Sequence, residues 1–584
     1  MKSNVLVLVS VVLASCTRGL AAGEPGLDKN VAPHNEGVSP GAHNPVGPAF
    51  QPVKRQAGKP VPQQAVPPGE VRRQGDPSLL SEPQAPARGL PTLVGQWDGP
   101  YAWPVEAIHA FLLPTGKVLH FAFPGEIQFP SAYVWDPVTG EFTAVPVNRP
   151  LFCSGHSFMA DGRLLVTGGN GPAPKGEFRG IKDTHIFNPF DETWTRVEDM
   201  ADGRWYPTNV TLADGNVLTF SGLDELTGAV NSDIELYEPG SGLGWQIVAN
   251  QALPLYPRMH LLSTGDVFYA GPSWWTGVFG VDTWSWYDEV PNNYGGRYEG
   301  ISVQLPGQQD AVMIIGGQSG GVVTATAEII DLGDTLPAWR YTLQPMNYAR
   351  MHADAVILPD GKILVVGGHS EQHDEGGGGP PASTVYEAEM YDPATETWSL
   401  MAAMQNPRVY HSTAVLLPDA RVLAAGSLGQ FNAEIYSPPY LFGGPRPVIA
   451  AAPAQAPYGD FFEIQTPDAA DIESVVLIRL ASVTHSVNMD QRHVRLDFVQ
   501  SPGSPGILLA DAPSNPALAP PGYYMLFLLN ADGVPSTAKM IRLSEATEVI
   551  PTVSEWGAVV MGLLLLGAGT IVIRRRCELS ARQL

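Results

Sequence analysis

The chain has 584 residues, 44% hydrophobic and 16% charged, and its 34 Lys+Arg against 58 Asp+Glu leave a net charge of −24. At roughly 150 residues per domain the length allows two to four domains. So acidic a chain is a poor match for nucleic acid, which rewards basic patches. The 62 Gly and 55 Pro point to turn-rich β structure, unstructured segments, or both. Of the three cysteines, Cys16 ends a leader and Cys577 lies in a tail, so the folded body holds Cys153 alone and an internal disulfide framework is excluded.

Met1-Lys2 precedes an apolar run that includes Val5–Val9 and Val11–Leu13, which reads as an export signal over 1–22, too short to span a bilayer. Leu13-Ala14-Ser15-Cys16 resembles a bacterial lipobox, in which Cys16 is lipidated; a cut after Ala21-Ala22 is the competing reading. Residues 23–94 are rich in Pro, Gly and Gln without a hydrophobic period, which predicts a disordered linker.

A pattern then recurs: a turn pair, a short hydrophobic strand, and often Gly-Gly. Its copies include Thr115-Gly116, Asp161-Gly162 with Gly168-Gly169, Asp214-Gly215, Thr264-Gly265, Asp360-Gly361 with Gly367-Gly368, and Asp419-Ala420, with a degenerate copy ending at Gly316-Gly317. The Asp-Gly pair makes a tight hairpin turn, and Gly-Gly marks a close backbone approach. Later in the units come strand–turn–aromatic stretches such as Tyr391-Asp392-Pro393 to Trp398. A period of about 50 residues is the kelch value. Seven units predict an all-β chain with a seven-bladed kelch-type β-propeller over 95–442. Short alternating strands over 443–545, such as Ser474–Arg479 and Tyr523–Leu528, predict an immunoglobulin-like β-sandwich.

The tail, 546–584, reads Ile550-Pro551-Thr552-Val553, then an apolar run from Ala558 to Ile573, then Arg574-Arg575-Arg576. It resembles the bacterial IPTL-type C-terminal sorting signal, with a short transmembrane span whose arginines stay cytoplasmic; a plain tail anchor is the alternative. These ends imply a bacterial protein that is periplasmic, outer-membrane or on the cell surface, attached to the envelope through its termini and met by a sorting protease.

Four places in the body carry candidate chemistry: Phe152-Cys153-Ser154-Gly155, Arg204-Trp205-Tyr206-Pro207, Arg408-Val409-Tyr410-His411 and Thr484-His485-Ser486. Taken singly, each has an ordinary structural reading: a small buried thiol, edge aromatics, a Tyr-His pair whose side chains leave opposite strand faces, and a loop histidine. Taken together they differ. The first three occupy one phase of their repeats, just before the hairpin strand, so Cys153, Tyr206 and Tyr410-His411 converge at one end of the channel. Two imidazoles with oxygen ligands suit Cu(II), whereas zinc more often recruits a third histidine or a carboxylate.

The body from about Gly95 to Leu543 resembles the galactose oxidase/glyoxal oxidase family of mononuclear copper-radical oxidases, with Arg204-Trp205-Tyr206-Pro207 of the glyoxal oxidase kind. The resemblance implies one copper ion held by Tyr206, Tyr410, His411 and His485, and a Cys153–Tyr206 thioether that carries the radical. It implies that Tyr410 is the axial ligand and general base, and that a small aldehyde hydrate or primary alcohol is oxidised with O2 to give H2O2. The stretch Ser221-Gly222-Leu223-Asp224 lacks the tryptophan that galactose oxidase places over its cross-link. Trp274 or Trp275 could cover the radical instead, and Arg258 could contact substrate hydroxyls. His156, His352, His369 and His373 receive no ligand role, and the run Gly376–Gly379 reads as a flexible insertion. The alternatives are a non-catalytic kelch propeller that binds a glycan or protein at the cell surface, and a copper-binding protein that never forms the cross-link.

Overall fold

The computed structural model describes residues 89–122, 132–174, 177–372 and 381–545. The leader with its lipobox, most of the linker, His373 with its glycine run, and the 546–584 tail lie outside the described residues. The expectation of a transmembrane segment is corrected: among the described residues no helix is long and apolar enough to cross a membrane. The helices there are Pro91–Val94 and the 3-10 turn Pro439–Phe442, each four residues long. The rest is strand and loop, so the all-β expectation holds.

Seven of the sheets share one plan of four antiparallel strands; five have them in sequence order, the first carries two added strands, and the seventh borrows its fourth. Their first strands are His109–Leu112, Gly155–Phe158, Thr208–Thr211, Met259–Leu261, Ile301–Gln304, Met351–Ile357 and Ser412–Leu416, and nearly every residue in them is buried. First strands of successive sheets pack together, Gly155–Phe158 on Thr208–Thr211, and Met351–Ile357 on Ser412–Leu416, which in turn meets His109–Leu112. The seventh sheet takes its fourth strand, Gln96–Ala102, from the other end of this region, pairing Trp97 with Tyr436. The repeat's hairpin turns place Gly116, Gly162, Gly215, Gly265 and Gly361 at φ between +80° and +94°. Ala420 occupies the same turn position at φ +67° despite its Cβ.

The Gly-Gly pairs join one sheet to the next. The N–H of Gly169 donates to Arg204 O at 2.9 Å, that of Gly317 to Arg350 O at 2.7 Å and that of Gly368 to Arg408 O at 2.6 Å. A Cβ on Gly367 would lie 2.1 Å from Arg408 O, which no relaxation of a side chain relieves. The same arginines carry buried ion pairs: Arg204–Glu235, Arg350–Glu389 and Arg408–Glu434, joined by Arg297–Glu328 in the fifth sheet. Each pair ties the segment entering a sheet to that sheet's third strand.

After Pro439–Phe442 the chain forms a five-stranded and a three-stranded sheet around a core that includes Phe462, Ile464, Leu477, Leu508, Leu526 and Ile541. One excursion leaves this body. Ser482–Thr484 adds as a strand to the first of the seven sheets, setting His109 opposite Thr484 and Phe111 opposite Ser482. The following loop reaches between the first strands. The N–H of Phe158 donates to Asp490 Oδ2 at 2.9 Å, that of Ile357 donates to Gln491 Oε1 at 2.9 Å, and Arg492 Nη2 donates to Leu261 O.

The buried pairs give a contrast within one molecule. Glu389→Gln leaves the Arg350 guanidinium buried beside a neutral partner and is expected to cost about 3–5 kcal/mol. Glu396→Gln, which removes the partner of the half-exposed Arg340, is expected to cost about 0–1 kcal/mol. Unfolding free energies from urea titrations of the two variants check this; equal losses would contradict it.

Candidate active site

The site begins with backbone. Cys153, Tyr206 and His411 each directly precede or nearly precede the first strand of a sheet, with φ of +60°, +69° and +68°. His485, just past the added strand, has φ +48°. Left-handed non-glycine residues cost about 1–3 kcal/mol each and gather at functional sites. Three more residues share the phase and the conformation: Tyr256, Glu299 and His352, at φ +46°, +54° and +55°. Backbone bonds link these positions from sheet to sheet. The N–H of Tyr206 donates to Cys153 O at 2.9 Å, that of Tyr256 to Tyr206 O at 2.8 Å and that of His352 to Glu299 O at 2.9 Å.

Arg258 fills the gap in this series. Its Nη1 donates to Tyr256 O at 2.6 Å and its Nη2 to Gly300 O at 2.7 Å. It is buried, and burial lowers its pKa to about 10. The expectation that Arg258 reaches substrate hydroxyls therefore finds no support in its placement; its guanidinium braces the fourth sheet against the fifth.

Side chains converge on this framework. The ligand atoms of Cys153, His411 and His485 all lie within 4.8 Å of one another. The hydroxyls of Tyr206 and Tyr410 are hydrogen-bonded to each other. Cys153 Sγ is 3.5 Å from His485 Nε2. The rings of His411 and His485 stand at 82° with centroids 4.6 Å apart. Tyr410 and His411 do not leave opposite faces as neighbours on a regular strand do. The left-handed turn at His411 brings both rings to one side, stacked at 3.8 Å and 27°. Cys153, His411 and His485 are buried, while Tyr206 and Tyr410 keep a partly exposed edge.

Hydrogen bonding fixes which nitrogen of His485 is bare. The Thr484 hydroxyl donates its only hydrogen to Ile108 O at 2.9 Å. It therefore accepts from His485 Nδ1–H, at 2.6 Å, and His485 Nε2 is left with its lone pair. His411 Nε2 is buried without a hydrogen-bond partner. Burial holds both rings neutral, lowering His411 to about 3 and His485 well below the usual histidine value. Two neutral imidazoles, one with an orphaned nitrogen, beside two phenol oxygens are a donor set that fits a copper ion. Burial, followed by the nearby Cys153 and Tyr410, raises the Tyr206 phenol well above its usual value. Burial raises the Cys153 thiol as well, opposed by hydrogen bonding to Tyr206 and Trp205.

The tryptophan over Tyr206 is its own neighbour. Trp205 stacks on Tyr206 at 3.8 Å and 12°, and Phe178 stacks on Trp205 at 4.5 Å and 8°. Tyr256 lies against Tyr206 at 4.5 Å and 24°. A backbone pair with Leu223 holds Trp205, its N–H donating to Leu223 O at 3.1 Å and its O accepting from Leu223 N–H at 2.8 Å. The expected covers sit elsewhere. Trp274 is 61% exposed, and Trp275 packs at 4.7 Å from Tyr269 in the fourth sheet's core.

Three residues that touch the centre carry no role in the sequence reading. Tyr256 was readable, because it holds the shared phase in Tyr256-Pro257-Arg258. His352, at 5.0 Å from the Tyr410 ring, was readable by the same rule. His109, whose Nε2 accepts the Cys153 N–H at 3.0 Å, had no sequence signal, since it lies inside a strand of another sheet.

Residues 446–543 match the galactose oxidase-like early set domain model, and residues 304–438 match the glyoxal oxidase N-terminus model. A galactose oxidase of Gibberella zeae is 29% identical over 514 residues, which cover 79% of this chain and 72% of that one. An aldehyde oxidase GLOX of Vitis pseudoreticulata is 29% identical over 471 residues, 70% of this chain and 85% of that one. A solved fungal alcohol oxidase of the AA5 family, in complex with copper, aligns with TM-score 0.68 at 27% identity, over 77% of this chain and 100% of that chain. These matches support the galactose oxidase/glyoxal oxidase family and an oxidase. The relatives are fungal and plant proteins. The expectation of a bacterial periplasmic, outer-membrane or cell-surface location conflicts with them and is withdrawn.

Thr484→Val removes the acceptor that sets the His485 tautomer while keeping the side chain's shape. Copper affinity, measured by competition with a chelator of known strength, is expected to fall roughly 10–100-fold; unchanged affinity would remove Thr484 from this role.

Proposed function

We propose that this chain is a mononuclear copper-radical oxidase that oxidises a small aldehyde, as its hydrate, or a primary alcohol. The observation that carries the reading is the meeting of Cys153, His411 and His485 within 4.8 Å, beside the hydrogen-bonded hydroxyls of Tyr206 and Tyr410. Relatives named galactose oxidase and aldehyde oxidase support it. In this reading the seven sheets are the blades of one propeller, with the pairing of Gln96–Ala102 to Asn432–Ser437 as its closure, and the domain after it is an immunoglobulin-like sandwich.

Tyr206 Oη, Tyr410 Oη, His411 Nε2 and His485 Nε2 are the atoms that would hold the metal. Copper, when bound, supplies the one-electron partner of the tyrosine and a seat for the substrate oxygen. Cys153 Sγ joins the Tyr206 ring: the S–H and one ring C–H are lost, a C–S bond forms, and dioxygen takes up the two hydrogens as hydrogen peroxide. Tyr410 Oη receives the proton of the substrate hydroxyl. The oxidised Tyr206 takes a hydrogen atom from the adjacent carbon. An alcohol leaves as the aldehyde, or an aldehyde hydrate as the acid, with one dioxygen reduced to hydrogen peroxide per turnover. Trp205 and Tyr256 cover the Tyr206 ring and keep water from it, while its partly exposed edge leaves an approach for a small substrate.

The test is the mass of the Cys153 and Tyr206 peptides after exposure to copper and air. They are expected as one species lacking two hydrogens, with peroxide formed from small aldehydes or alcohols. Tyr206→Phe is expected to lose both the linked peptide and peroxide formation while its unfolding transition stays in place. Tyr410→Phe is expected to keep the linked peptide and lose about 10²–10⁴-fold in turnover. Separate peptides in the copper-loaded wild type would leave a copper-binding protein and remove the oxidase.

A further inference from the structure

Behind Cys153, away from the hydroxyls of Tyr206 and Tyr410, lies a chain of polar groups that the reaction above does not use. The N–H of Cys153 donates to His109 Nε2 at 3.0 Å. His109 Nδ1 is 3.2 Å from His156 Nε2, and His156 Nδ1 is hydrogen-bonded to Ser482 Oγ. His109, His156 and Ser482 have no exposed surface. The protons in this chain are determined by its first member. A peptide N–H can only donate, so His109 Nε2 carries no hydrogen and its Nδ1 does. His109 Nδ1–H then donates to His156 Nε2, which leaves the His156 hydrogen on Nδ1, donating to Ser482. The Ser482 hydroxyl hydrogen is left facing His156 O, 3.5 Å away. Every member is satisfied with both rings neutral, and only one tautomer of each ring allows it.

The rings are also held by packing. His109 stacks on Phe121 at 4.4 Å and 22° and meets His156 edge-on at 5.4 Å. The chain of bonds starts at the peptide N–H of a residue in the left-handed region and ends on the strand that delivers His485. It spans the first sheet, the second sheet and the strand added from the sandwich domain.

We infer that His109 and His156, with their tautomers set by the Cys153 N–H and their last hydrogen received by Ser482, are positioning residues for cofactor formation: they hold Cys153 in its left-handed conformation, so that Sγ meets the Tyr206 ring only when Ser482–Thr484 is docked. The inference rests on the oxidase reading, because it concerns the same C–S bond with dioxygen as oxidant. It separates that step from metal binding, since neither histidine is among the four holding atoms.

The experiment follows the Cys153–Tyr206 linked peptide over time, by mass, in full-length protein given copper and air, with bound copper measured on the same samples. His109→Phe keeps a flat ring but loses the acceptor for the Cys153 N–H. Its linking rate is expected to fall roughly tenfold or more, with one copper still bound per chain. His109→Gln restores an acceptor at about the Nε2 position and is expected to recover most of the rate. Ser482→Ala, a smaller change, is expected to slow linking with copper retained. Linking at the wild-type rate in His109→Phe or Ser482→Ala would overturn the inference, and so would a matching loss of copper and linking in both, because positioning leaves the metal's ligands in place. A wild-type chain that never links under these conditions would instead overturn the oxidase reading itself.

Discussion

Everything at the centre depends on three residue pairs, His109 with Thr484, Ala110 with Val483 and Phe111 with Ser482. They form a ladder between the first of the seven sheets and a strand from the following domain. The ladder sets His485 beside Cys153 and His411, and it brings Thr484 to Ile108 O, which determines which nitrogen of His485 is bare. The loop beyond it is anchored at three separate first strands, through Asp490, Gln491 and Arg492. The buried Arg479–Asp490 pair closes the loop back onto its own domain, and Arg479 also donates to Phe158 O at 3.0 Å. An ion pair this deep gives weak evidence for stability, because the desolvation of both charges offsets their attraction. Its geometric effect is plainer: the loop has one seat, and the histidine comes with it.

The second requirement is conformational. Four site residues, Cys153, Tyr206, His411 and His485, occupy a backbone region that L-residues avoid, at about 1–3 kcal/mol each. Such strain survives only where the surroundings over-determine it. Here the over-determination repeats. The buried arginines two or three residues upstream, Arg204 and Arg408, are fixed by carbonyls and glutamates. The Gly-Gly pairs grip the carbonyls of those same arginines, and the left-handed residues are linked to one another by backbone bonds across sheets. The scaffold therefore offers six equivalent positions, of which Cys153, Tyr206 and His411 carry the candidate chemistry. Tyr256, Glu299 and His352 line the rest. A repeat fold can vary what it presents at such positions without altering how they are held.

The sequence made much of this readable. The repeat period, the turn pairs and the Gly-Gly pairs are local patterns, and they predicted strands whose turns and close approaches are as expected. The shared phase of Cys153, Tyr206 and Tyr410-His411 was readable because register in a repeat converts to position in space. Two kinds of feature were not. The cover over Tyr206 depends on a left-handed φ at Tyr206 itself, which folds Trp205 back on its neighbour; periodicity reports side-chain alternation and carries nothing about a single inverted dihedral. Periodicity therefore offers only tryptophans of another sheet, Trp274 and Trp275, as covers. Arg258 looked like a free charge near the centre, and only the carbonyls of Tyr256 and Gly300 reveal that its donors are occupied. His109 and Ser482 act through contacts 44 and 326 residues distant in sequence, and neither stands inside a motif.

Electrostatics ties the metal to the chemistry. Without a cation, burial holds the His411 and His485 imidazoles unprotonated and the Tyr206 phenol and Cys153 thiol protonated. A phenolate or thiolate alone would be an uncompensated charge in a poorly solvated place, which the fold resists strongly. A dication reverses that balance, because it is the largest charge in the site and favours the deprotonated form of whatever it touches. Arrival of a metal and loss of protons from the tyrosine side would then be one event. The neutral histidine chain behind Cys153 fits the same logic. A charged ring there would repel the incoming cation, whereas two neutral rings with fixed tautomers position the peptide at no electrostatic cost.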